Sequence, residues 1–181
     1  KPISVYAPAL DKGVITPASV IDDAPVRALG GKAWPVNSHS YFDGLVSVDE
    51  AIAESLNTCA VRVVEEMGVK ESYNYTTLVS DTDNPKQNDI NSASMGLGGL
   101  TRGVSTVEMA AAYAAFVNQG VYNEPRTYSK VTDQDGKTVI DNTGLGGHEG
   151  DDRLFHEQIP APGGYQRHWR QRRFLRHDRR R

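Results

Sequence analysis

The sequence predicts a fold of mixed α and β elements, mainly helical and with one β-hairpin. Two Ser-x-x-Glu patterns, at Ser47–Glu50 and Ser105–Glu108, have the form of helix-opening capping boxes, and an apolar run follows each of them. Asp135-Gly136 separates two short β-prone runs, which is a hairpin signal. With 181 residues, 38% of them apolar and 24% charged, the chain has the composition of a globular protein.

The first half of the chain is predicted to contain three helices and one surface segment. Apolar residues at helical spacing over Pro2–Leu10 predict an amphipathic helix. Three prolines and a Gly-Gly pair between Val14 and Tyr41 predict short extended pieces and turns on the surface, outside the core. The first capping box opens an apolar helix that Gly68 closes, and Lys70–Ser80 is a further helix-like stretch.

The second half is predicted to contain a polar loop, a buried helix and the hairpin. The loop spans Asp81–Ser94 and leads into a cluster of glycines, which indicates a tight turn or a close approach of backbone. The second capping box opens a helix over Met109–Gln119 that is apolar on nearly every side, so we expect it to be buried. The hairpin strands are predicted at Thr127–Thr132 and Thr138–Ile140.

Charge divides the chain into residues 1–144 and a tail at 145–181. The first part holds 7 Lys and 4 Arg against 18 acidic residues, a net charge of −7, whereas the tail holds 9 Arg and 5 acidic residues, a net charge of +4. The tail is rich in Arg and His, has no lysine and shows no apolar periodicity, so we expect it to be disordered or to come from a shifted reading frame. A basic arm that binds nucleic acid or anionic lipid is the other interpretation.

Several kinds of site and segment are disfavoured by the sequence. The glycine cluster has the wrong spacing for a dinucleotide-binding loop and follows a polar segment. His39 stands apart from the other histidines, and the single cysteine, Cys59, cannot form an intramolecular disulfide or a cysteine cluster. The longest apolar stretch, Met109–Val117, is nine residues long, whereas a membrane-spanning helix needs about 18 or more.

Three motifs in a fixed order carry a family resemblance. Lys1-Pro2 precedes the first helix, Ser55-Leu56-Asn57 follows a capped helix, and the glycine-rich run at 97–105 precedes an alanine-rich helix. Together with their flanks these motifs resemble part of the transpeptidase domain of class A (bifunctional) penicillin-binding proteins over residues 1–142. The resemblance implies an α+β fold of the penicillin-binding protein/β-lactamase type, of which this chain holds mainly the helical part plus a β-hairpin.

The resemblance also implies which residues carry the chemistry. The family uses Ser-x-x-Lys, Ser-x-Asn and Lys-Thr-Gly. Lys1 matches the lysine of the first motif, whose nucleophilic serine would lie three residues upstream, outside this chain. Ser55 and Asn57 match the second motif, in which Ser55 would relay a proton and Asn57 would hold the substrate amide. The third motif is not found, because Lys137-Thr138 is followed by valine.

A geometric condition follows from the second motif. Residues at i and i+2 diverge by about 200° on a regular helix, so Ser55 and Asn57 can face one site only if the helix ends or bends near Leu56.

The implied function is that of a D,D-transpeptidase fragment that cross-links peptidoglycan stem peptides through a serine acyl-enzyme and binds penicillin. The expected partners are D-Ala-D-Ala stem peptides and β-lactams, with no metal or organic cofactor and no nucleic acid. The expected location is the extracytoplasmic side of the bacterial cell membrane, reached through parts absent from this chain. The chain as written is expected to be inactive, because it contains neither the nucleophilic serine nor Lys-Thr-Gly. The alternatives are a catalytically dead fragment that binds cell-wall peptide and a nucleic-acid or membrane-surface binder that uses the basic tail.

Overall fold

Six α-helices and three two-stranded antiparallel sheets form the part of the chain that the structure, a computed structural model, describes: residues 1–78 and 87–143. The helices are α1 (Ala7–Asp11), α2 (Val48–Ala53), α3 (Asn57–Met67), α4 (Val69–Leu78), α5 (Ser92–Leu97) and α6 (Thr106–Ala115). The strands are β1 (Val20–Asp23), β2 (Arg27–Leu29), β3 (Lys32–Trp34), β4 (Gly44–Ser47), β5 (Lys130–Thr132) and β6 (Thr138–Asp141). These elements confirm the predicted mixture of helices and a hairpin. The tail predicted at 145–181 lies outside the described residues.

Two of the sheets pair consecutive strands, and the third pairs β1 with β4, which residues 24–43 separate. β1 pairs with β4, β2 with β3 and β5 with β6. In the first sheet Asp23 lies opposite Gly44, which brings the end of β1 next to the start of β4. The β5–β6 pair confirms the predicted hairpin, and Gly136 in its turn has a φ of +80°, a conformation that L-residues rarely adopt.

The core is built around α3, whose residues Cys59–Val61 and Val63–Val64 are at most 1% exposed. The first helix, β1, α4 and α5 pack against this helix, and β4 and α2 pack against β1. The side chains of this core cluster are Val5, Tyr6, Ala9, Ile15, Ile21, Val46, Val48, Ala51, Leu56, Cys59, Ala60, Val63, Val64, Met67 and Met95. Gly68 ends α3 with a φ of +98°, as its position after the apolar series predicts.

The glycine cluster includes one close approach between helices. A Cβ placed on Gly96 of α5 would lie 3.2 Å from Cγ2 of Val61 and 3.4 Å from its Cα. Gly98 then caps the C-terminus of α5 in the left-handed conformation. Both the close approach and the tight turn predicted for the cluster are therefore present.

The buried face of the first helix matches the predicted stripe only in part: Tyr6 and Ala7 are buried as the spacing predicts. It begins as a π-helical turn over Pro2–Tyr6 and continues as α1. Val5 and Ala9 are completely buried, whereas Ile3 and Leu10 are only half-buried. The π-turn inserts an extra residue per turn, so the α-helical spacing used for the prediction does not hold across it.

The prediction of a surface segment over Val14–Tyr41 is wrong. Ile15 and Ile21 belong to the core, and Asp23 and Asn37 are 0% and 4% exposed. The prolines of this segment break its regular structure, but they do not stop β1 from pairing with β4 over α3. Breaks in secondary structure therefore did not indicate exposure here.

The two capping boxes differ in outcome. Ser105 forms the complete box with Glu108: its hydroxyl accepts from the Glu108 backbone N–H, and the Glu108 carboxylate accepts from the Ser105 N–H. Ser47 occupies the N-cap position of α2, but its hydroxyl donates to Asp49 at 2.6 Å and makes no cap hydrogen bond. The first capping box is therefore an incorrect prediction.

The helix predicted at Met109–Gln119 begins and ends earlier and is mostly exposed. It spans Thr106–Ala115, and within it Ala112 and Ala115 are buried, against Ile3 and Tyr122. The apolar character on all sides comes largely from small alanines, which are compatible with burial and do not require it. The predicted polar loop is also shortened, because α5 begins at Ser92. Residues 79–86 lie outside the described part.

Candidate active site

The geometry of the second motif starts from the way α2 ends. The Ser55 N–H donates to Ile52 O at 3.2 Å, and the Leu56 N–H donates to Ala51 O at 3.0 Å. This pair of bonds is the Schellman pattern, in which the residue just past the helix adopts the left-handed conformation. That residue is Ser55, with a φ of +56°, at a position usually filled by glycine.

The turn directs Leu56 into the core, whereas Ser55 and Asn57 on either side of it are more exposed. Leu56 is 1% exposed and lies in the core cluster with Ala51. Ser55 precedes it in the turn, and Asn57 follows it as the first residue of α3. The prediction of a single helix from the first capping box to Gly68 is therefore wrong, because the chain forms α2 and α3 instead. The break between them meets the condition that Ser55 and Asn57 can face one site only if the helix ends or bends near Leu56.

Lys1 meets both polar residues of the motif. Its Nζ donates to Asn57 Oδ1 at 2.5 Å, to the Ser55 carbonyl at 2.6 Å and to Ser55 Oγ at 3.2 Å. An ammonium group has three N–H donors, and these three contacts match them. All three site residues that the sequence analysis singled out therefore lie together, although 54 positions separate Lys1 from Ser55 along the chain.

The Asn57 side chain is held at both ends of its amide. Oδ1 accepts from Lys1, and Nδ2 donates to the Val36 carbonyl at 2.7 Å. The backbone N–H of Asn57 donates to Asn37 Oδ1 at 2.8 Å, which supplies an acceptor for one of the N–H groups that every helix N-terminus leaves without an intrahelical partner. Neighbouring residues of one segment thus hold both the side chain and the backbone of Asn57.

A buried carboxylate lies behind Asn37. Asp23 accepts from Asn37 Nδ2 at 2.8 and 3.0 Å and from the Asp43 backbone N–H at 2.8 Å, and it also accepts from the Thr58 hydroxyl. Burial raises the pKa of this carboxyl, but the donors from Thr58, Asn37 and Asp43 together bring the pKa below its ordinary value, so the group is charged.

Electrostatics distinguish Lys1 from the cysteine near it. Partial burial removes water from the Lys1 ammonium and lowers its pKa from the ordinary value. Burial raises the pKa of Cys59 to about 11, so its thiol stays protonated near neutral pH. Of these two groups, Lys1 is the one whose pKa shifts toward neutral pH.

Comparisons with known proteins identify the family. A family model of the penicillin binding protein transpeptidase domain matches residues 1–147. The chain belongs to the penicillin-binding protein transpeptidase family. Penicillin-binding protein 1A of Clostridium tetani is 35% identical over 153 residues, which cover 78% of this transpeptidase-family chain and 19% of that protein. The chain therefore spans about a fifth of the length of this curated relative.

Solved structures agree with the assignment. Penicillin-binding protein 1A from Haemophilus influenzae is 30% identical with a TM-score of 0.58, over 76% of this transpeptidase-family chain and 20% of that one. PonA1 from Mycobacterium tuberculosis, solved in complex with penicillin V, has a TM-score of 0.68 at 20% identity, over 84% of this chain and 41% of that one. The second likeness shows the fold, which confirms the predicted α+β transpeptidase class.

Sequence reasoning on this transpeptidase-family chain missed Asp23, Asn37 and the carbonyl of Val36. The available signal was the alternation of β1, in which Ile21 and Asp23 share the buried face while Val20 and Asp22 are exposed. An acidic residue in register with a buried isoleucine indicates a buried charge that needs donors.

Residues 1–78 and 87–143 contain neither a membrane-spanning helix nor a cluster of metal ligands. No helix in these ranges combines the length and the apolar character needed to cross a bilayer. Within the same ranges, His, Cys, Asp and Glu side chains form no group of three or more that could hold a metal ion.

Proposed function

We propose that the protein is a serine D,D-transpeptidase of cell-wall synthesis, with Lys1, Ser55 and Asn57 in its active site. The observation that carries the proposal is the contact of one lysine Nζ with both Ser55 Oγ and Asn57 Oδ1. The match to the family's transpeptidase domain over residues 1–147 supports it. In this proposal the nucleophile is the serine three residues before Lys1, in the preceding turn of the helix.

The reaction forms and breaks one acyl-enzyme. The serine hydroxyl three residues before Lys1 attacks the penultimate carbonyl of a D-Ala-D-Ala stem peptide, and the serine proton passes to the neutral amine of Lys1. Residues three apart on a helix share a face, which brings the amine to the hydroxyl. The C–N bond breaks and D-Ala leaves with a proton. The amine of a second stem peptide then attacks the acyl carbon, and its proton passes to the serine oxygen as the ester bond breaks, which forms the cross-link and restores the serine hydroxyl.

Lys1 and Ser55 form the proton path in this scheme. Partial burial lowers the Lys1 pKa, which increases the fraction of neutral amine available as a base. Ser55 Oγ, 3.2 Å from Nζ, can take the proton from Lys1 and deliver its own proton to the leaving amine. A hydroxyl suits a relay of this kind because it is both a donor and an acceptor.

Asn57 serves as the group that holds the substrate. Its Nδ2 carries two hydrogens, and the Val36 carbonyl accepts one of them. The second hydrogen can donate to a carbonyl of the stem peptide. Because Oδ1 and Nδ2 are both fixed, the donor is oriented before substrate arrives, which reduces the cost of ordering it on binding.

Partners and location follow from the same proposal. β-Lactams acylate the same serine, and the reaction takes place outside the cytoplasm, where peptidoglycan is assembled. The catalytic groups are serine, lysine and asparagine side chains, so the scheme uses no metal and no organic cofactor.

The test is labelling with fluorescent penicillin followed by denaturing gel electrophoresis. We expect no labelled band from the 181-residue chain and a band, competed away by unlabelled penicillin, from the complete transpeptidase domain of the same gene. In that domain Lys1→Ala, Ser55→Ala and Asn57→Ala should each slow acylation by about 10²-fold or more. Glu54→Ala, next to the motif and exposed, is the matched control and should leave the rate unchanged.

Two results would contradict the proposal. A competed band from the 181-residue chain would require another nucleophile within it. Unchanged acylation by a folded Ser55 or Asn57 variant would remove that residue from the site.

A further inference from the structure

We propose that Asp23 and Asn37 are positioning residues, which fix the orientation of Asn57 toward Lys1 through the amide of Asn37. The positional part of this inference depends only on contacts within the chain. Its consequence for acylation rests on the proposed function.

The inference starts from the polarity of the Asn37 amide. Its Nδ2 faces the Asp23 carboxylate and also donates to the Tyr41 carbonyl at 3.3 Å, while its Oδ1 faces the Asn57 N–H at 2.8 Å. A 180° rotation of the amide would exchange these ends. The NH2 group would then face the Asn57 N–H, donor against donor, and the carbonyl oxygen would face a carboxylate.

An ionised carboxylate prevents that rotation because it only accepts hydrogen bonds. Both oxygens of Asp23 are occupied by donors, from Asn37, the Thr58 hydroxyl and the Asp43 backbone. The group is 0% exposed, so water does not replace a lost donor at low cost. Asp23 therefore determines which end of the Asn37 amide points at α3.

The orientation of the Asn37 amide affects the site through Asn57. Asn37 Oδ1 anchors the backbone of Asn57, while the carbonyl of Val36, the preceding residue, anchors its side chain at 2.7 Å. These two contacts leave Oδ1 of Asn57 directed at Lys1 Nζ, at 2.5 Å. A rotated Asn37 would remove the backbone anchor and shift the segment that supplies the other one.

Three substitutions separate this role from general stabilisation. Asp23→Asn keeps the shape but introduces an NH2 group, so the polarity of Asn37 is no longer determined. Asn37→Asp sets two carboxylates against each other. The double variant Asp23→Asn/Asn37→Asp restores one donor facing one acceptor between positions 23 and 37. Its new carboxylate at position 37 presents an oxygen to the Asn57 N–H in place of the amide oxygen of Asn37.

The measurement is amide hydrogen exchange on the 181-residue chain, with the Asn57 rate divided by that of Val63 in the middle of α3. We expect Asp23→Asn to raise this ratio by about tenfold or more, and the double variant to return it to within about threefold of the wild type. Asp22→Asn, the same change at the exposed neighbour in β1, should leave the ratio within about twofold.

The ratio distinguishes positioning from stability. Loss of global stability alone speeds exchange at Val63 at least as much as at Asn57 and therefore does not raise the ratio, so a ratio that does not rise would overturn the inference. So would a double variant that folds but does not restore the ratio. If the double variant does not fold, Asn37→Ala takes its place: it deletes the acceptor of the Asn57 N–H and must raise the ratio as Asp23→Asn does.

A second measurement keeps the proposed function separate. In the complete transpeptidase domain, penicillin acylation should fall by about tenfold in Asp23→Asn and recover in the double variant. A changed exchange ratio with unchanged acylation would uphold the positioning of Asn57 and remove Asn57 from catalysis. An unchanged ratio would refute the positioning whatever the acylation rate.

Discussion

Ser55 has a left-handed backbone conformation at the end of α2, so the usual stability order of alanine and glycine variants should be reversed at this position. Its φ of +56° is unfavourable for any residue with a Cβ. Both Ser55→Gly and Ser55→Ala remove the hydroxyl that Lys1 contacts, so their difference isolates the backbone from the side-chain hydrogen bond. We expect Ser55→Gly to be the more stable of the two.

The magnitude follows from two opposing terms. The left-handed conformation costs an L-residue about 1–2 kcal/mol, whereas glycine loses about 0.5–1 kcal/mol more in conformational entropy on folding than alanine does. The net advantage of glycine at position 55 is therefore about 0.5–1 kcal/mol. At the preceding Glu54, with a φ of −86°, only the entropy term acts, and alanine should be better by about 0.5–1 kcal/mol.

Equilibrium unfolding in urea, followed by far-UV circular dichroism, measures all four variants. With a shared denaturant slope, the midpoints give the differences in unfolding free energy. The order of glycine and alanine should reverse between positions 54 and 55. The same order at both positions would refute the assignment of strain to Ser55.

Three further predictions concern packing, capping and acid stability. Gly96→Ala places a Cβ 3.2 Å from Val61 Cγ2, a tight contact that should offset the gain of about 1 kcal/mol in helix propensity. In a Val61→Ala background the same change should be more favourable, and a double-mutant cycle by thermal unfolding that finds no coupling would contradict this. Ser105→Ala should cost about 1 kcal/mol by removing a formed cap, and Ser47→Ala should cost less in the same assay, so equal losses would contradict the difference between the two boxes. The folded pKa of Asp23 is below its ordinary value of 3.8, so the stability that Asp23 adds is present above that pH and is lost as the pH falls through the lower folded value. The difference in unfolding free energy between wild type and Asp23→Asn should therefore narrow below about pH 4. A constant difference would contradict this prediction.

Features that depend on neighbouring residues were predictable from the sequence. The hairpin follows from Asp135-Gly136, and the Ser105 box follows from a serine and a glutamate three residues apart. The break between α2 and α3 does not follow from the apolar spacing, which predicted one helix to Gly68; it follows only when the resemblance assigns Ser55 and Asn57 to one site, because they cannot face one site on a continuous helix.

Features that depend on which of several available partners a group contacts were not predictable. Ser47 has the same spacing to its glutamate as Ser105, but an aspartate at i+2 takes its hydroxyl, whereas a valine stands at that place after Ser105. The hold of Asp23 on Asn37 joins two stretches that the prolines separate, and nothing in either stretch specifies the other. The exposure of α6 depends on which elements pack against it, and apolar composition does not specify that.

The burial of Leu56 between two polar residues also bears on how the sequence can vary. Packing in the core restricts the middle position, whereas under the proposed function the reaction restricts the outer two, so substitutions at the three positions are tolerated for different reasons. An insertion or deletion in this turn would exchange the roles, moving leucine out of the core and a polar residue into it. Among sequences that evolve from this one, residues around the turn should therefore vary, while the number of residues between α2 and α3 stays constant.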